Sequence, residues 1–543
     1  MNGAAYGVGV KAFTLAFLTV LPLGAAEYHI DFARLFPPAD TQRTEYSARM
    51  RDLEVHRGHL ADSSSNFVGA LDAYSAALES FERLDAYLYL RYAVDTRQVV
   101  LLHDEEALEA DFAKRTAFFR SDIAQVTAAD AQRLLASDHG RTYLRFIETT
   151  RGADGALTLA QTEVVEALAP AVAAWPAELY DTLGKQKDRS GDLYAFALLR
   201  LVRARTQLAQ LRGYPDAASE VYANAQLTRA DARRLFDAVA AATPVYVAFQ
   251  QRHAALPPIA VKPSYSFDEA RTTILAALAP LGRAYVDEMS SLLDPASGRI
   301  DITPGEHRLR AGFSKGFPGM TSVFFMSGFS GSYNDVRVIT HEGTHAVERE
   351  MQTRAHVMPV YASGPKFIME ALAITAELML PKYLYEHERD PALRRFFLDQ
   401  LLTSKGLVIL FRTAAEAELE ERIYDGVTRG EVRSAADLDA LTIPVFARYG
   451  ITVRPDEWTR IPLLFEDPFY DINYTWADLV ALELFGTAKS EPAGFAAAYS
   501  RALRSGFDSP AATWLKRAFD LDLGDPHLVD RALKTLQPYI GAY

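Results

Sequence analysis

Residues 338–348 read Val338-Ile339-Thr340-His341-Glu342-Gly343-Thr344-His345-Ala346-Val347-Glu348. The stretch carries the pattern His-Glu-x-x-His in an apolar setting of Val336, Val338, Ile339, Ala346 and Val347. Residues four apart share one face of a helix, so both imidazoles can hold one ion if the segment is helical. The spacing therefore predicts a buried helix with His341 and His345 as metal ligands. Glu342, next to the first ligand, can reach a metal-bound water and is expected to act as general base. A buried helix carrying His, Glu and His without a task would be costly. The alternative is a hydrogen-bonded core histidine pair, because short patterns recur by chance.

A catalytic zinc commonly takes three protein ligands. Twenty-five residues beyond His345 comes Phe367-Ile368-Met369-Glu370-Ala371-Leu372-Ala373-Ile374-Thr375-Ala376-Glu377-Leu378-Met379-Leu380. This run is apolar nearly all round and predicts a core helix. Glu370 and Glu377, seven apart, share one of its faces. Buried carboxylates are rarely unpaired, and a metal gives Glu370 a partner. The alternative is a solvated stripe carrying both acids. Glu377 is expected to support the site from behind. Glu348 shares the face of His341 and His345, either orienting an imidazole or lying at the surface.

The rest of the chain reads as mostly helical. Apolar residues recur at three and four spacings from Phe67 to Tyr92 and from Gly191 to Leu211. Strand-like sequence is scarce and clearest from Thr321 to Met326, between Gly319 and Gly328. An extended substrate could pair with such a strand as an edge; a plain structural hairpin is the alternative. Pro257, Pro258 and Pro263 mark a break, and no internal repeat is evident.

The 543 residues are 49% hydrophobic and 23% charged, an ordinary globular balance. A formal net charge of -13 argues against a nucleic-acid partner, which calls for clustered Lys and Arg. With no cysteine there can be no thiolate ligand or nucleophile, so a metal must be held by His and carboxylates. At the N-terminus Lys11 precedes the apolar run Ala12–Leu23, followed by Gly24-Ala25-Ala26. That pattern predicts a signal peptide over residues 1–26 and a periplasmic or secreted protein with no stable membrane anchor after its removal. A buried first helix is the alternative; the run is too short for a membrane span.

Around these residues the chain resembles the thimet-oligopeptidase and oligoendopeptidase F peptidases, and the oligoendopeptidase F branch most. Gly328-Phe329-Ser330-Gly331-Ser332-Tyr333-Asn334-Asp335-Val336 is similar to that branch's approach to its zinc helix. Phe267-Asp268-Glu269-Ala270, Pro280-Leu281-Gly282 and Arg310-Ala311-Gly312-Phe313-Ser314 resemble its upstream motifs. The spacing to Glu370 also matches. The likeness is specific around residues 265–380 and looser before 200.

The resemblance implies a mainly α, two-lobed helical ellipsoid with a deep substrate channel and a small β-sheet beside the zinc helix. It implies an N-terminal helical region over 27–200 and a catalytic region over 201–543. One Zn2+ ion on His341, His345 and Glu370 would lie at the channel floor, although cobalt and manganese suit the same ligands. The channel would admit short unfolded oligopeptides to a monomeric enzyme. Pro468-Phe469-Tyr470-Asp471-Ile472-Asn473-Tyr474-Thr475-Trp476-Ala477 resembles the family's Tyr-rich closing segment, which marks Tyr474 and Tyr470 as candidate oxyanion donors.

Two departures stand out. Ile461-Pro462-Leu463-Leu464 has leucine where the family has a His, and Thr344 stands where it has Gly, with Gly343 one earlier. The expected activity is metalloendopeptidase hydrolysis of oligopeptides by attack of a zinc-bound water, with Glu342 as base. The alternatives are a carboxypeptidase or dipeptidyl carboxypeptidase on a similar scaffold, or a metal-retaining, non-catalytic peptide-binding protein.

Overall fold

Long helices make up most of this computed structural model, which describes residues 28–151, 160–161, 164–165, 175–184 and 190–543. The expected signal segment, 1–26, lies outside the described residues. Among them no helix is long and apolar enough to cross a membrane.

The helical periods of the sequence translate directly. Helix α1, Ser64–Val94, starts where the Ser63 side chain accepts the Asn66 N–H. Its apolar stripe of Phe67, Leu71, Tyr74, Leu84 and Leu88 packs on α2, Val99–Gln125, in an N-terminal core. The Tyr74 and Phe119 rings stack there at 4.3 Å. A second, larger core runs from Tyr180 to Ile540. Its helices include α3 (Gly191–Leu211), α4 (Arg283–Leu292), α5 (Tyr333–Arg354), α6 (Lys366–His387), α7 (Pro391–Thr403), α8 (Leu407–Thr428) and α9 (Tyr470–Ser490). Two cores give two helical lobes. Residue 200, the expected boundary, falls inside α3, whose Leu198, Leu199 and Val202 belong to the second core.

The lobes meet at a three-stranded sheet of β1 (Ile300–Asp301), β2 (Gly312–Phe317) and β3 (Met320–Met326), in the order β1-β3-β2. Phe317, Met320, Val323 and Phe325 cluster with Ala86, Leu90 and Ala93 of α1. Helix α5 packs on the sheet's other face. Covered on both sides, β3 needs no polar alternation, which explains its run Val323-Phe324-Phe325-Met326. The expectation that Thr321–Met326 offers an edge is corrected. Phe324 and Phe325 pair with Ile300 and Asp301 on one side and with Ser314 and Phe313 on the other, so β3 is central. The longer of the two edge strands is β2.

Helix α5 starts with a reciprocal cap between Ser332 and Asp335. Ser330 adds its N–H and hydroxyl to the same Asp335 oxygen, at 2.7 and 2.6 Å. Gly331 holds φ +80°, and a Cβ there would lie 2.5 Å from the Tyr265 carbonyl oxygen, so only glycine fits. Helix α6 is buried along Ala371–Pro381, as its apolar sequence requires.

Candidate metal centre

Two helices build the site. His341 and His345 stand one turn apart on α5, their rings 5.1 Å apart and inclined at 81°. Glu370 faces them from α6, with His341 Nε2 at 3.3 Å from Oε2 and His345 Nε2 at 4.0 Å from Oε1. Their side chains are 13%, 11% and 14% exposed. One donor atom from each residue falls in a group spanning no more than 4.8 Å. Tetrahedral zinc with bonds near 2.0–2.1 Å places ligand atoms roughly 3.3 Å apart, so the set fits such an ion. Glu370 Oε2 is buried with no hydrogen-bond donor, a state that a cation resolves.

The support behind the ligands fixes their chemistry. His341 Nδ1 lies 2.9 Å from Glu377 Oε2, which leaves Nε2 free to turn toward Glu370. Arg337, one turn before His341 on α5, donates to Glu377 Oε1 at 2.5 Å and to Asn334 Oδ1 at 2.9 Å. Burial opposes the imidazolium, yet Glu370 and Glu377 hold the His341 ring basic, up to about 9. Burial and the neighbouring His341 depress His345 to about 3. The carboxylates thus call for one positive charge in a site whose second histidine stays neutral, as metal ligation requires. Burial raises Glu342, with His341 pulling it back down, a direction that suits a base.

Tyr470 and Tyr474 both reach this region from α9. The Tyr470 hydroxyl lies 3.4 Å from Glu370 Oε1, and its ring is 5.0 Å from that of Tyr474. Burial, then Glu370, raises both phenols, so both keep their protons and remain donors. The Lys366 ammonium sits 4.6 Å from the Tyr470 ring centre and that of Lys405 4.7 Å from the Tyr474 ring centre.

His341, His345, Glu370, Glu377 and the two tyrosines therefore come together, with Glu342 beside the first ligand. Glu348 is neither a surface residue nor hydrogen-bonded to an imidazole among the described residues. It is buried, and burial pushes its carboxyl up to about 7. Leu463 sits in the short turn Leu463–Glu466 and brings no donor. Thr344 is accounted for by packing: its hydroxyl donates to the Thr340 carbonyl and meets the Tyr285 hydroxyl of α4 at 2.7 Å. A Cβ on Gly343 would lie 3.1 Å from Met289, so the close approach of α4 falls at this position.

Arg337, Lys405 and Asp478 escape a sequence reading. Arg337 had a signal, since it lies four residues before His341. Lys405 follows α7 in a bend, and nothing local marks it. Asp478 is fully buried on α9, neither oxygen has a hydrogen-bond partner, and burial pushes its carboxyl well above the usual carboxylate range.

The chain matches no family model. Over 279 residues it is 24% identical to oligopeptidase PepF of Bacillus subtilis, a match that spans 50% of this chain and only 40% of that relative. A crystal structure of a putative peptidase from Chlamydophila abortus superposes with a TM-score of 0.77 at 17% identity, covering 95% of this chain and 97% of the other. Oligoendopeptidase-F from Enterococcus faecium gives 0.62 at 17% identity, covering 93% and 97%. Fold and site together give a helical scaffold with a His-Glu-x-x-His helix and a downstream glutamate, and its fold is similar to that of those two structures. In sequence, the chain is similar to oligopeptidase PepF over about half of its own length, and it spans less than half the length of that relative.

Proposed function

We propose that this protein is a metalloendopeptidase of short, unfolded oligopeptides, exported through its N-terminal segment. The observation that carries the reading is the convergence of two imidazole Nε2 atoms on a buried Glu370 whose Oε2 has no donor. His341, His345 and Glu370 would hold a divalent ion, zinc above all, which would supply Lewis acidity at the scissile carbonyl and the attacking water. Glu342 takes the proton from the attacking water as the O–C bond forms, then returns it to the nitrogen as the C–N bond breaks. Tyr474 and Tyr470 donate their O–H groups to the carbonyl oxygen as it gains charge. Glu377 keeps the His341 Nε2 lone pair directed forward, and Lys405, His341 and Arg337 together keep Glu377 ionised against its burial.

Cleavage of an internally quenched peptide by wild type and Glu342→Gln tests the reading, with metal content measured alongside. Loss of cleavage with metal retained is expected. Cleavage unchanged in the variant overturns the mechanism, and absence of cleavage in wild type supports the non-catalytic alternative. Products from peptides with free and amidated C-termini separate endopeptidase from carboxypeptidase action, since only the latter needs the free carboxylate.

A further inference from the structure

Phe469, the residue just before Tyr470, sits at φ +58°, ψ 29°, as the N-cap of α9. Four other non-glycine residues share a positive φ among those described: Gln226, His307, His356 and Asp520. Phe469 is the only large apolar one, and for a bulky side chain this region is a genuine outlier. Such strain persists only where the surroundings over-determine it, and it gathers at functional sites.

Three contacts hold Phe469. Its N–H donates to Glu420 Oε2 of α8 at 2.8 Å. Its carbonyl accepts from Asn473 Nδ2 at 3.2 Å. Its ring, fully buried, lies 4.7 Å from that of Tyr424 and 5.6 Å from that of Tyr222. Glu420 is itself fully buried, and its Oε1 has no partner. A buried, half-satisfied acid is an expensive way to cap one N–H. A leucine would remove the buried acid but would leave the buried Phe469 N–H without its acceptor.

We infer that Glu420 is a positioning residue for the two tyrosines, holding Phe469 in the left-handed conformation that sets where Tyr470 and Tyr474 enter the metal centre. The inference rests on the proposed peptidase reading. Relaxing φ from +58° to the ordinary helical value turns the chain by about 120° immediately before Tyr470. The Tyr470 hydroxyl, now 3.4 Å from Glu370, cannot keep its place through such a turn. A carboxylate, a carboxylic acid and a carboxamide all present an oxygen that accepts the Phe469 N–H, so the role needs an acceptor and not a charge.

Glu420→Leu and Glu420→Gln test this. Glu420→Leu is expected to lower kcat about 10–100-fold with KM within about twofold, as small misplacements of reacting groups do. Its metal content should hold and its melting temperature should stay near that of wild type, because loss of the buried acid offsets the Phe469 N–H left without an acceptor. Glu420→Gln should recover kcat to within about threefold of wild type. Hydrogen exchange of the segment around 469–474 should accelerate in Glu420→Leu and not in Glu420→Gln. Wild-type kcat in Glu420→Leu, or equal damage in both variants, overturns the inference. If wild type cleaves nothing, the peptidase reading fails separately. The exchange result then decides, and unchanged exchange in Glu420→Leu overturns the inference.

Discussion

Replacing Glu377 by Gln exchanges one carboxylate oxygen for an NH2 group and should weaken metal binding by about 10–100-fold. Glu377 is 2% exposed and accepts from His341 Nδ1 at 2.9 Å and Arg337 Nη1 at 2.5 Å. A carboxylate serves both donors; a carboxamide offers one acceptor oxygen and one NH2 group. Arg337 has no lone pair to offer, so the amide oxygen must face it. The NH2 then faces His341 Nδ1, which can accept only by moving the ring hydrogen to Nε2. That atom lies 3.3 Å from Glu370 Oε2 and is the one a metal needs. Restoring the useful tautomer forfeits one charge-assisted hydrogen bond of about 1.5–3 kcal/mol. At 1.4 kcal/mol per decade this corresponds to about one to two orders of magnitude in zinc Kd, in line with the effect of such supporting residues elsewhere. Competition against a chromophoric chelator measures Kd, and kcat at saturating zinc should largely return. A Kd within twofold of wild type would refute the tautomer argument.

Three further outcomes follow from the same geometry. Tyr474→Phe should lose about 10²–10³ in kcat with metal content unchanged, as removal of one oxyanion donor does; stopped-flow or steady-state cleavage of a quenched peptide reads it. Glu82 is pushed up to about 7 from 4.5 by burial and then by Asp85, with Lys315 and Arg349 opposing. The folded chain therefore binds more protons than the unfolded between those values, and stability falls as pH rises through that window. Glu82→Gln should gain about 1–3 kcal/mol over wild type at pH 8 and none near pH 4.5, measured by urea unfolding at both. Removing the metal with a chelator should lower the melting temperature, and added zinc should raise it again in proportion to RT ln(1 + [Zn]/Kd). An unshifted melting curve would count against His341, His345 and Glu370 as ligands.

Spacing and polarity sufficed for the elements whose partners are near in the chain. The four-residue interval from His341 to His345 put both rings on one face of α5. The apolar sequence from Phe367 to Leu380 marked a core helix, and Glu370 stood out in it because an ionisable group there needs a partner. Other features depend on which distant segments pack together, and no local pattern encodes that. The strand Met320–Met326 reads the same whether central or at an edge; only its pairing with Ile300 and Asp301 decided. Glu377 could be seen as a buried acid, but its partners His341 and Arg337 come from another helix. The left-handed Phe469 was invisible, since its conformation is imposed by Glu420 from 49 residues away. Periodicity along one helix is a property of the chain, whereas the meeting of α5, α6, α8 and α9 is a property of the fold.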